Sequence, residues 1–153
     1  MGGGTSITAV KNFKSIETTM GFTPLSGITM ATRPGDLDPA LVIYLWNKKK
    51  WNRDKALSYF SSECGLKGMT GEVFDIRDII KRMNKNDSSA TSAFDKYIHD
   101  IKKTVGAYMA SLNGVDLLVF TGGIGENSHE VRAAVCKQME CFGIKIDSNL
   151  NKR

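Results

Sequence analysis

The sequence predicts a mixed α/β fold. Two short runs with β propensity open the chain, several helical segments follow, and a short apolar run, Leu117–Phe120, leads directly into a glycine-rich loop. A short apolar run of this kind is typical of a strand that is buried on both faces. A strand, a glycine loop and a helix in succession also form a suitable setting for a phosphate group.

A β-hairpin is predicted at the start of the chain. Ser6–Val10 and Ser15–Thr18 are the two strands, and Lys11–Lys14 is the turn between them. Phe13 is unfavourable in this turn, because tight hairpin turns require positive φ angles that Phe resists. The turn is therefore the weakest local match in the hairpin.

Capping residues locate the helices that follow. Three predicted helices each follow such a residue: Asp38 before a helix to about Lys48, Asn52 before one to near Cys64, and Asp75 before Ile76–Met83. Pro39 suits the first position of its helix. Gly65 stands where a glycine commonly ends a helix, and Gly65–Gly71 is predicted to be a glycine-rich connection.

The clearest helix lies in the second half of the chain. Apolar residues repeat at steps of three and four from Phe94 to Leu112, and Asn113-Gly114 ends the pattern. Ser128 is predicted to cap a last helix that runs through Phe142. Beyond it, Ile144–Ile146 is predicted to be a final short strand.

Length and composition favour one globular domain. The chain has 153 residues, of which 41% are hydrophobic and 24% charged, close to the average of such domains. These values exclude disordered, collagen-like and disulfide-rich classes. The sequence contains neither a run of about 18 apolar residues nor a signal-peptide pattern. We therefore expect a cytoplasmic protein without a membrane partner.

The formal net charge of +5 raises the question of a nucleic-acid partner. Lys48–Lys50 lie between Trp46 and Trp51, and aromatic side chains among cations can stack on bases. Cations are also favoured at the C-terminus of a helix, and no nucleic-acid-binding motif accompanies the cluster. A solvated surface is favoured, and no nucleic acid is expected. The three cysteines lack metal-ligand spacing and are predicted to be free thiols.

Two glycine-rich segments are candidates for binding phosphate. Thr121–Asn127 follows the predicted buried strand, so its backbone N–H groups can approach an anion without obstruction by a Cβ atom. Gly2–Gly4 offers the same freedom without that context. The first segment has neither the P-loop lysine nor the dinucleotide fingerprint. Taken alone, either segment is equally well explained as a turn.

Taken together, the rare motifs of this chain closely resemble signature stretches of the acetate kinase family. They are TTMGFTPL at 18–25, ATRPGDLDP at 31–39 and FTGGIGEN at 120–127, in the order and at the spacing of that family. Residues 75–78 and 143–147 extend the resemblance over essentially the whole chain. It implies membership of the sugar-kinase/actin/Hsp70 superfamily and an incomplete ribonuclease H-like domain of the actin-type ATPase class.

The resemblance implies a function as well as a fold. Residues 1–153 are expected to be part of the C-terminal nucleotide-binding domain, with an N-terminal domain and the extreme C-terminus outside it. The family transfers a phosphoryl group from ATP to acetate, giving acetyl phosphate and ADP. ATP/ADP and Mg²⁺ are the implied cofactors, with the metal ligands in other segments, and a homodimer is the implied assembly. A propionate or butyrate kinase and a non-catalytic nucleotide-binding remnant remain alternatives.

Site residues are carried over position by position. In an Arg-Pro-Gly-Asp turn, Arg33 alone would suggest a surface ion pair; the resemblance instead implies a catalytic arginine. Three further groups are implied to bind ATP: Gly2, Gly3 and Gly4 on the phosphate side, Asp75, Ile76 and Arg77 at the adenosine, and Gly123, Ile124, Gly125, Glu126 and Asn127 in a second adenosine loop. Asp75 is also explained as a helix N-cap. His99 and His129 match no catalytic position, and this chain is assigned no metal ligand.

The resemblance also bears on the predicted strand Leu117–Phe120. In the family, this strand lies between two neighbours that fall outside the sequence given. Unpaired buried backbone groups cost about 1–3 kcal/mol each. We therefore expect these residues to be under-paired, or paired in another way, and the isolated chain to be inactive.

Overall fold

The computed structural model describes residues 1–72 and 74–152 and confirms the mixed α/β class. Its hairpin consists of β1 (Thr8–Lys11) and β2 (Lys14–Thr18), which pair antiparallel. Within the described residues, the sheet has these two strands. None of the helices described is long and apolar enough to cross a membrane.

The hairpin turn adopts the conformation that its sequence disfavours. Lys11 pairs with Lys14, and the two residues between them, Asn12 and Phe13, have φ angles of 51° and 61°. A two-residue turn that follows the twist of its strands needs positive φ at both positions. Strand pairing therefore overrides the preference of Phe13, whose side chain is fully exposed.

Seven helices lie in the described part of the chain. In order they are α1 (Pro39–Lys49), α2 (Arg53–Ser62), α3 (Gly65–Thr70), α4 (Ile76–Met83), α5 (Ser88–Leu112), α6 (Gly122–Asn127) and α7 (His129–Cys136). Glu140–Phe142 and Leu150–Lys152 form single 3₁₀ turns. The predicted caps are confirmed, because Asp38, Asn52 and Asp75 each accept a hydrogen bond from the first turn of their helix.

Two helices form where glycine-rich connections were predicted. Gly65 is the first residue of α3 and does not end α2; likewise, the glycine loop after Thr121 is itself the short helix α6. Neither helix has a side-chain N-cap. Instead, backbone carbonyls from distant segments accept hydrogen bonds from amides in the first turn of each helix, as described below.

The last predicted helix is shorter than expected. Ser128 caps α7 as predicted, with its hydroxyl 3.4 Å from the Val131 amide nitrogen, but the helix ends at Cys136. Lys137 leaves the helical path with a ψ of 132°, and Gln138 follows with a φ of 57°. The break lets Met139, which is 2% exposed, enter the core.

The two other predicted strands are wrong for this structure. Leu117–Phe120 and Ile144–Ile146 have no regular secondary structure and join no ladder in the described residues. Leu118 and Phe120 pack against the core, whereas Leu117 and Val119 are 74% and 62% exposed. One face of the first segment is therefore partly buried and the other is exposed. The backbone groups of a strand need hydrogen-bond partners on a neighbouring strand. Leu117–Phe120 has no such neighbour among the described residues, as the expected under-pairing predicts.

The core is built around α5. Its buried residues are Ala90, Ala93, Phe94, Tyr97, Ile98, Asp100, Ile101, Val105 and Met109. Helices α3, α4 and α7 and strand β1 all contact α5. A large apolar side chain that is fully buried contributes about 1.5–3 kcal/mol, so this face dominates the packing. By contrast, α1 has no buried residue.

Asp87 makes the stability of α5 dependent on pH. It is the N-cap of the helix, and its carboxylate accepts hydrogen bonds from the Ser89 hydroxyl (2.7 Å), the Ala90 amide (3.1 Å) and the Arg82 guanidinium (2.7 Å). These bonds hold the pKa of Asp87 well below its usual range. A carboxylate with a lowered folded pKa stabilises the fold above its unfolded pKa, and this stabilisation is lost as the pH falls.

We expect Asp87→Asn to flatten the acid limb of the stability curve. Asparagine remains a good N-cap but carries no titrating charge. Between pH 5 and 3, the unfolding free energy of the unaltered chain should fall more steeply than that of the variant. Urea unfolding followed by circular dichroism at several pH values measures both slopes. Parallel curves would contradict this assignment.

Candidate functional site

Residues 27–36 form a closed loop that carries Arg33 and is called the arginine loop here. At its base, the Gly27 amide donates to Asp36 Oδ1 (2.7 Å) and the Asp36 amide donates to the Gly27 carbonyl (2.8 Å). Nearer the tip, the Met30 amide donates to the Arg33 carbonyl (3.0 Å). The backbone on both sides of Arg33 is therefore fixed within the loop.

Helix α3 contacts one side of the arginine loop. The amides of Leu66 and Lys67 donate to the carbonyls of Met30 (3.0 Å) and Ala31 (2.9 Å). The first N–H groups of a helix lack partners within the helix. The loop therefore caps α3, and α3 in turn fixes the loop.

Gly65 allows this close approach. Its φ is +62°, and a Cβ atom at this position would lie 2.6 Å from the Arg33 carbonyl oxygen and closer still to that of Met30. Only glycine fits here without moving backbone atoms. The position of Arg33 therefore depends on this glycine.

Helix α5 contacts the other side of the arginine loop through Asp100. Its Oδ2 accepts hydrogen bonds from the Thr29 amide (3.1 Å) and hydroxyl (2.7 Å), and Lys96 Nζ lies 2.6 Å from both carboxylate oxygens. Burial alone would raise the pKa of Asp100, but the hydrogen bonds from Lys96 and Thr29 outweigh it and lower the pKa. The carboxylate is therefore a charged anchor inside the fold.

The segment Gly2–Gly4, called the glycine segment here, lies against the arginine loop. The Ala31 amide donates to the Gly3 carbonyl (3.2 Å). A Cβ atom on Gly4 would lie 3.3 Å from Nη2 of Arg33, while Nη1 of Arg33 donates to the Pro24 carbonyl (3.0 Å). The guanidinium therefore lies directly beside the glycine backbone.

Thr5 fixes the end of the glycine segment on α5. Its hydroxyl lies 3.0 Å from the Tyr97 hydroxyl, and the two residues are 2% and 1% exposed. Burial raises the pKa of the Tyr97 phenol, so it remains a neutral hydrogen-bonding group. Tyr97 and Asp100 lie three residues apart on α5, so one helix face anchors both candidate segments.

Helix α6 contacts Met1, the residue that precedes the glycine segment. The Ile124 amide donates to the Met1 carbonyl (3.0 Å). Gly122 has a φ of +73°, and a Cβ atom there would lie 2.6 Å from the same carbonyl oxygen. Met1, the residue before the glycine segment, is therefore in backbone contact with the second predicted adenosine loop, while Gly3 contacts the arginine loop.

Arg132 on α7 secures the far end of α6. Its Nη1 donates to the carbonyls of Gly125 (2.9 Å) and Glu126 (2.7 Å), and its Nε donates to Asn151 Oδ1 (2.7 Å). The last carbonyls of a helix lack partners within the helix, so Arg132 caps α6. Sequence reasoning missed this residue, because an arginine early in an amphipathic helix is common and carries no specific signal.

Asp75, Ile76 and Arg77 lie at the start of α4. Asp75 accepts hydrogen bonds from the Arg77 amide (2.9 Å) and from Arg77 Nη2 (2.6 Å), and the guanidinium lowers the pKa of Asp75 to about 2. Ile76 is 3% exposed and belongs to the core. These contacts fit the N-cap interpretation of Asp75, and they leave the ligand-binding roles of the three residues as predictions.

Two surface cavities lie away from this region. They have volumes of about 560 and 720 Å³ and are lined by α7, the segment that follows it and the outward side of α5, with neither Arg33 nor the glycine segment in their walls. Across residues 1–72 and 74–152, no group of three His, Cys, Asp or Glu side chains is arranged to hold a metal ion.

Comparison with known proteins identifies the family. The model of the acetokinase family matches residues 1–153. The chain belongs to the acetokinase family. The resemblance of its motifs to that family is therefore confirmed.

Relatives of the acetokinase family show how much of a whole enzyme is described. Acetate kinases of Desulfitobacterium hafniense and Clostridium acetobutylicum are 45% and 47% identical over 152 residues. In each case the match covers 99% of this chain and 38% of the relative. The chain therefore spans well under half the length of the curated acetokinases it matches.

Two solved structures of the same family superpose closely. The acetate kinase of Porphyromonas gingivalis matches with a TM-score of 0.95 at 39% identity, and a propionate kinase of Francisella tularensis with 0.93 at 38%. Each match covers 99% of this chain, and 38% and 39% of the respective enzyme. The fold described here is thus that of the corresponding part of these two kinases.

We expect Gly65→Ala to be strongly destabilising and Gly143→Ala to be a matched control. Both glycines have a left-handed φ, but a Cβ atom at Gly143 would meet nothing within 4 Å. The control should lose about 1–2 kcal/mol from the strained backbone alone. Gly65→Ala should lose about 1–3 kcal/mol more, because the arginine loop must move away. Urea unfolding measures both, and equal losses would contradict the close approach.

Proposed function

We propose that the protein containing this chain is an acetate kinase, which transfers a phosphoryl group from ATP to acetate and produces acetyl phosphate and ADP. The observation that carries the proposal is the guanidinium of Arg33 lying against the glycine segment. Curated acetate kinases at about 45% identity support the choice of substrate.

Arg33 is proposed to stabilise the phosphoryl group during transfer. Charge spreads over the equatorial oxygens of that group in the transition state. A planar guanidinium that is always protonated matches such oxygens in charge and geometry. The amides of the glycine segment can approach the same anion, because no Cβ atom intervenes. The carboxylate of acetate is then the nucleophile in a direct transfer from ATP.

Residues 123–127 are proposed to bind the adenosine part of ATP. A Cβ atom on Gly123 would meet nothing within 4 Å, so its backbone is open to a ligand. Two internal bonds hold the loop, from the Gly122 amide to Glu126 Oε1 and from Asn127 Nδ2 to the Gly123 carbonyl (both 2.9 Å). We propose that Asp75, Ile76 and Arg77 form the other adenosine segment.

The family also implies Mg²⁺, a homodimer and a cytoplasmic location. The described residues offer no donor set that fits a metal ion, so we propose that its ligands belong to other segments of the enzyme, and we derive no step through the ion. Dimerisation and location are likewise proposals. The placement of residues 1–153 in a C-terminal nucleotide-binding domain rests on the resemblance.

A propionate kinase is the second candidate function. The observation that favours it is the close superposition on the Francisella tularensis propionate kinase. The residues assigned above would bind nucleotide and phosphate, which both reactions share. We propose that the pocket selecting the acyl chain lies elsewhere in the enzyme, so acetate and propionate must be compared directly.

We expect Arg33→Ala to lower kcat by about 10²–10³-fold, because the charged contact is made in the transition state. The KM for ATP should change little. The variant is tested in a chimera in which residues 1–153 replace the matching segment of the Desulfitobacterium hafniense enzyme, with acetyl phosphate as the readout.

Arg53→Ala is the control, since the Arg53 side chain is 79% exposed on α2. Near-normal turnover of the Arg33 variant would refute the catalytic role. The isolated chain, assayed in parallel, should form no acetyl phosphate. An inactive chimera that still binds ATP would instead favour the non-catalytic remnant.

We expect Gly123→Val to raise the KM for ATP and leave the KM for acetate unchanged. A Cβ atom at this position meets nothing within 4 Å, so we expect the added side chain to obstruct the ligand more than the protein. Gly125→Val is less informative, because a Cβ atom there already lies 3.0 Å from the Phe120 carbonyl carbon. Gly106→Val is a control at another open position. A change confined to the KM for acetate would contradict the adenosine role.

A further inference from the structure

Asp100 is a charged residue on the apolar face of α5. It is 7% exposed and lies between the buried residues Tyr97 and Ile101. Removing a carboxylate from water is unfavourable unless the charge is paired and hydrogen-bonded. Lys96 pairs with it but is half exposed. The other partner is Thr29 of the arginine loop, 71 residues away in sequence.

Stability alone is a weak explanation for this carboxylate. Replacing a buried ion pair by well-packed apolar residues is often neutral or stabilising. An apolar side chain would also continue the face formed by Ile98, Ile101 and Val105. Hydrogen bonds, however, fix direction and distance in a way that apolar packing does not. The contact of Asp100 with Thr29 therefore has a geometric consequence.

The contact leads directly to the backbone around Arg33. The Thr29 hydroxyl lies 2.7 Å from Asp100 Oδ2 and 3.2 Å from the carbonyl of Pro34, the residue after Arg33. The residue after Thr29, Met30, donates its amide to the Arg33 carbonyl (3.0 Å). Both oxygens are acceptors and the hydroxyl has a single proton, so the shorter contact, with Asp100, is the stronger candidate for its hydrogen bond. The path from the carboxylate to Arg33 therefore runs through the Thr29 amide and hydroxyl and then through the neighbouring Met30 amide.

We propose that Asp100 is a positioning residue for Arg33: through Thr29 it holds the arginine loop at the distance from the glycine segment at which the guanidinium meets the transferring phosphoryl group. This inference rests on the proposed phosphoryl transfer. Asp100 touches no reacting atom in this scheme. About one helical turn away, Tyr97 contacts Thr5 at the end of the glycine segment. The glycine segment and the arginine loop are therefore both positioned by α5.

The kinetic test is a double-mutant cycle in the chimera. Asp100→Asn keeps the shape but loses the charge and one acceptor, and Thr29→Val removes the hydroxyl while keeping the amide. Each should lower kcat about 10-fold or more, because a displacement of 1 Å can cost 10²-fold. The KM for ATP should stay within about twofold. In an Arg33→Ala background, the same changes should have almost no further effect on kcat.

Asp95→Asn is the matched control, since Asp95 is exposed on the same helix, and it should leave kcat unchanged. Equal losses of kcat with and without Arg33 would overturn the proposal. So would unchanged kcat in the Asn and Val variants, or a loss that Asp95→Asn reproduces.

Hydrogen exchange in the 153-residue chain tests the positioning without any activity. Asp100→Asn should speed exchange of the Thr29, Met30 and Asp36 amides at least about 10-fold, while the Ala93 and Val105 amides of α5 and the unfolding midpoint change little. Uniform acceleration throughout the chain would show a merely structural role and overturn the inference. If the unaltered chimera makes no acetyl phosphate, the proposed function fails, while this measurement still decides the role of Asp100.

Discussion

The buried face of α5 is the constraint on which the rest of the structure depends. Four other elements pack against it, so its side chains occupy fixed positions. Tyr97 and Asp100 are the polar groups of this face that carry the candidate site. A separation of three residues places them about 4.5 Å apart along the helix axis. The glycine segment and the arginine loop therefore take their relative positions from a single rigid element.

Backbone carbonyls act as caps in the short helices of the site. Met30 and Ala31 cap α3, and Met1 binds the first turn of α6. Such contacts bring two backbones within hydrogen-bond distance, which excludes a side chain at the point of approach. Gly65 and Gly122 stand at these points with positive φ. These two glycines thus allow the backbone hydrogen bonds that cap the helices and fix the neighbouring segments.

Local signals predicted the helices, and non-local contacts explain the rest. Asp38, Asn52 and Asp75 each accept a hydrogen bond from an amide of their own helix. These caps can therefore be predicted from a few consecutive residues. By contrast, α3 and α6 depend on carbonyls that are distant in sequence, and glycine-rich sequences alone favour loops. The strand predicted at Leu117–Phe120 needed a partner that local sequence cannot supply.

The candidate site divides in the same way. Arg33 and the glycines were predicted because their motifs are rare, and the structure brings Arg33 and the glycine segment into contact. Asp100, Thr29 and Arg132 were missed. Each of these residues acts through hydrogen bonds to segments distant in sequence. A single Asp, Thr or Arg has no sequence pattern that predicts such contacts. Recognition of motifs thus finds residues of the candidate site whose motifs are rare in sequence and misses the residues that contact them from distant segments.

The position of α6 shows how a loop can be fixed without a sheet beneath it. Leu118 and Phe120 pack against the core although their segment joins no ladder in the described residues. The backbone of Phe120 lies so close to Gly125 that a Cβ atom there would be 3.0 Å away. Arg132 binds the carbonyls at the end of the helix, and Met1 binds an amide at its start. Because these contacts come from three different segments, no single one sets the orientation of α6; together they leave the Gly123 backbone uncovered and facing outward from the packed interior.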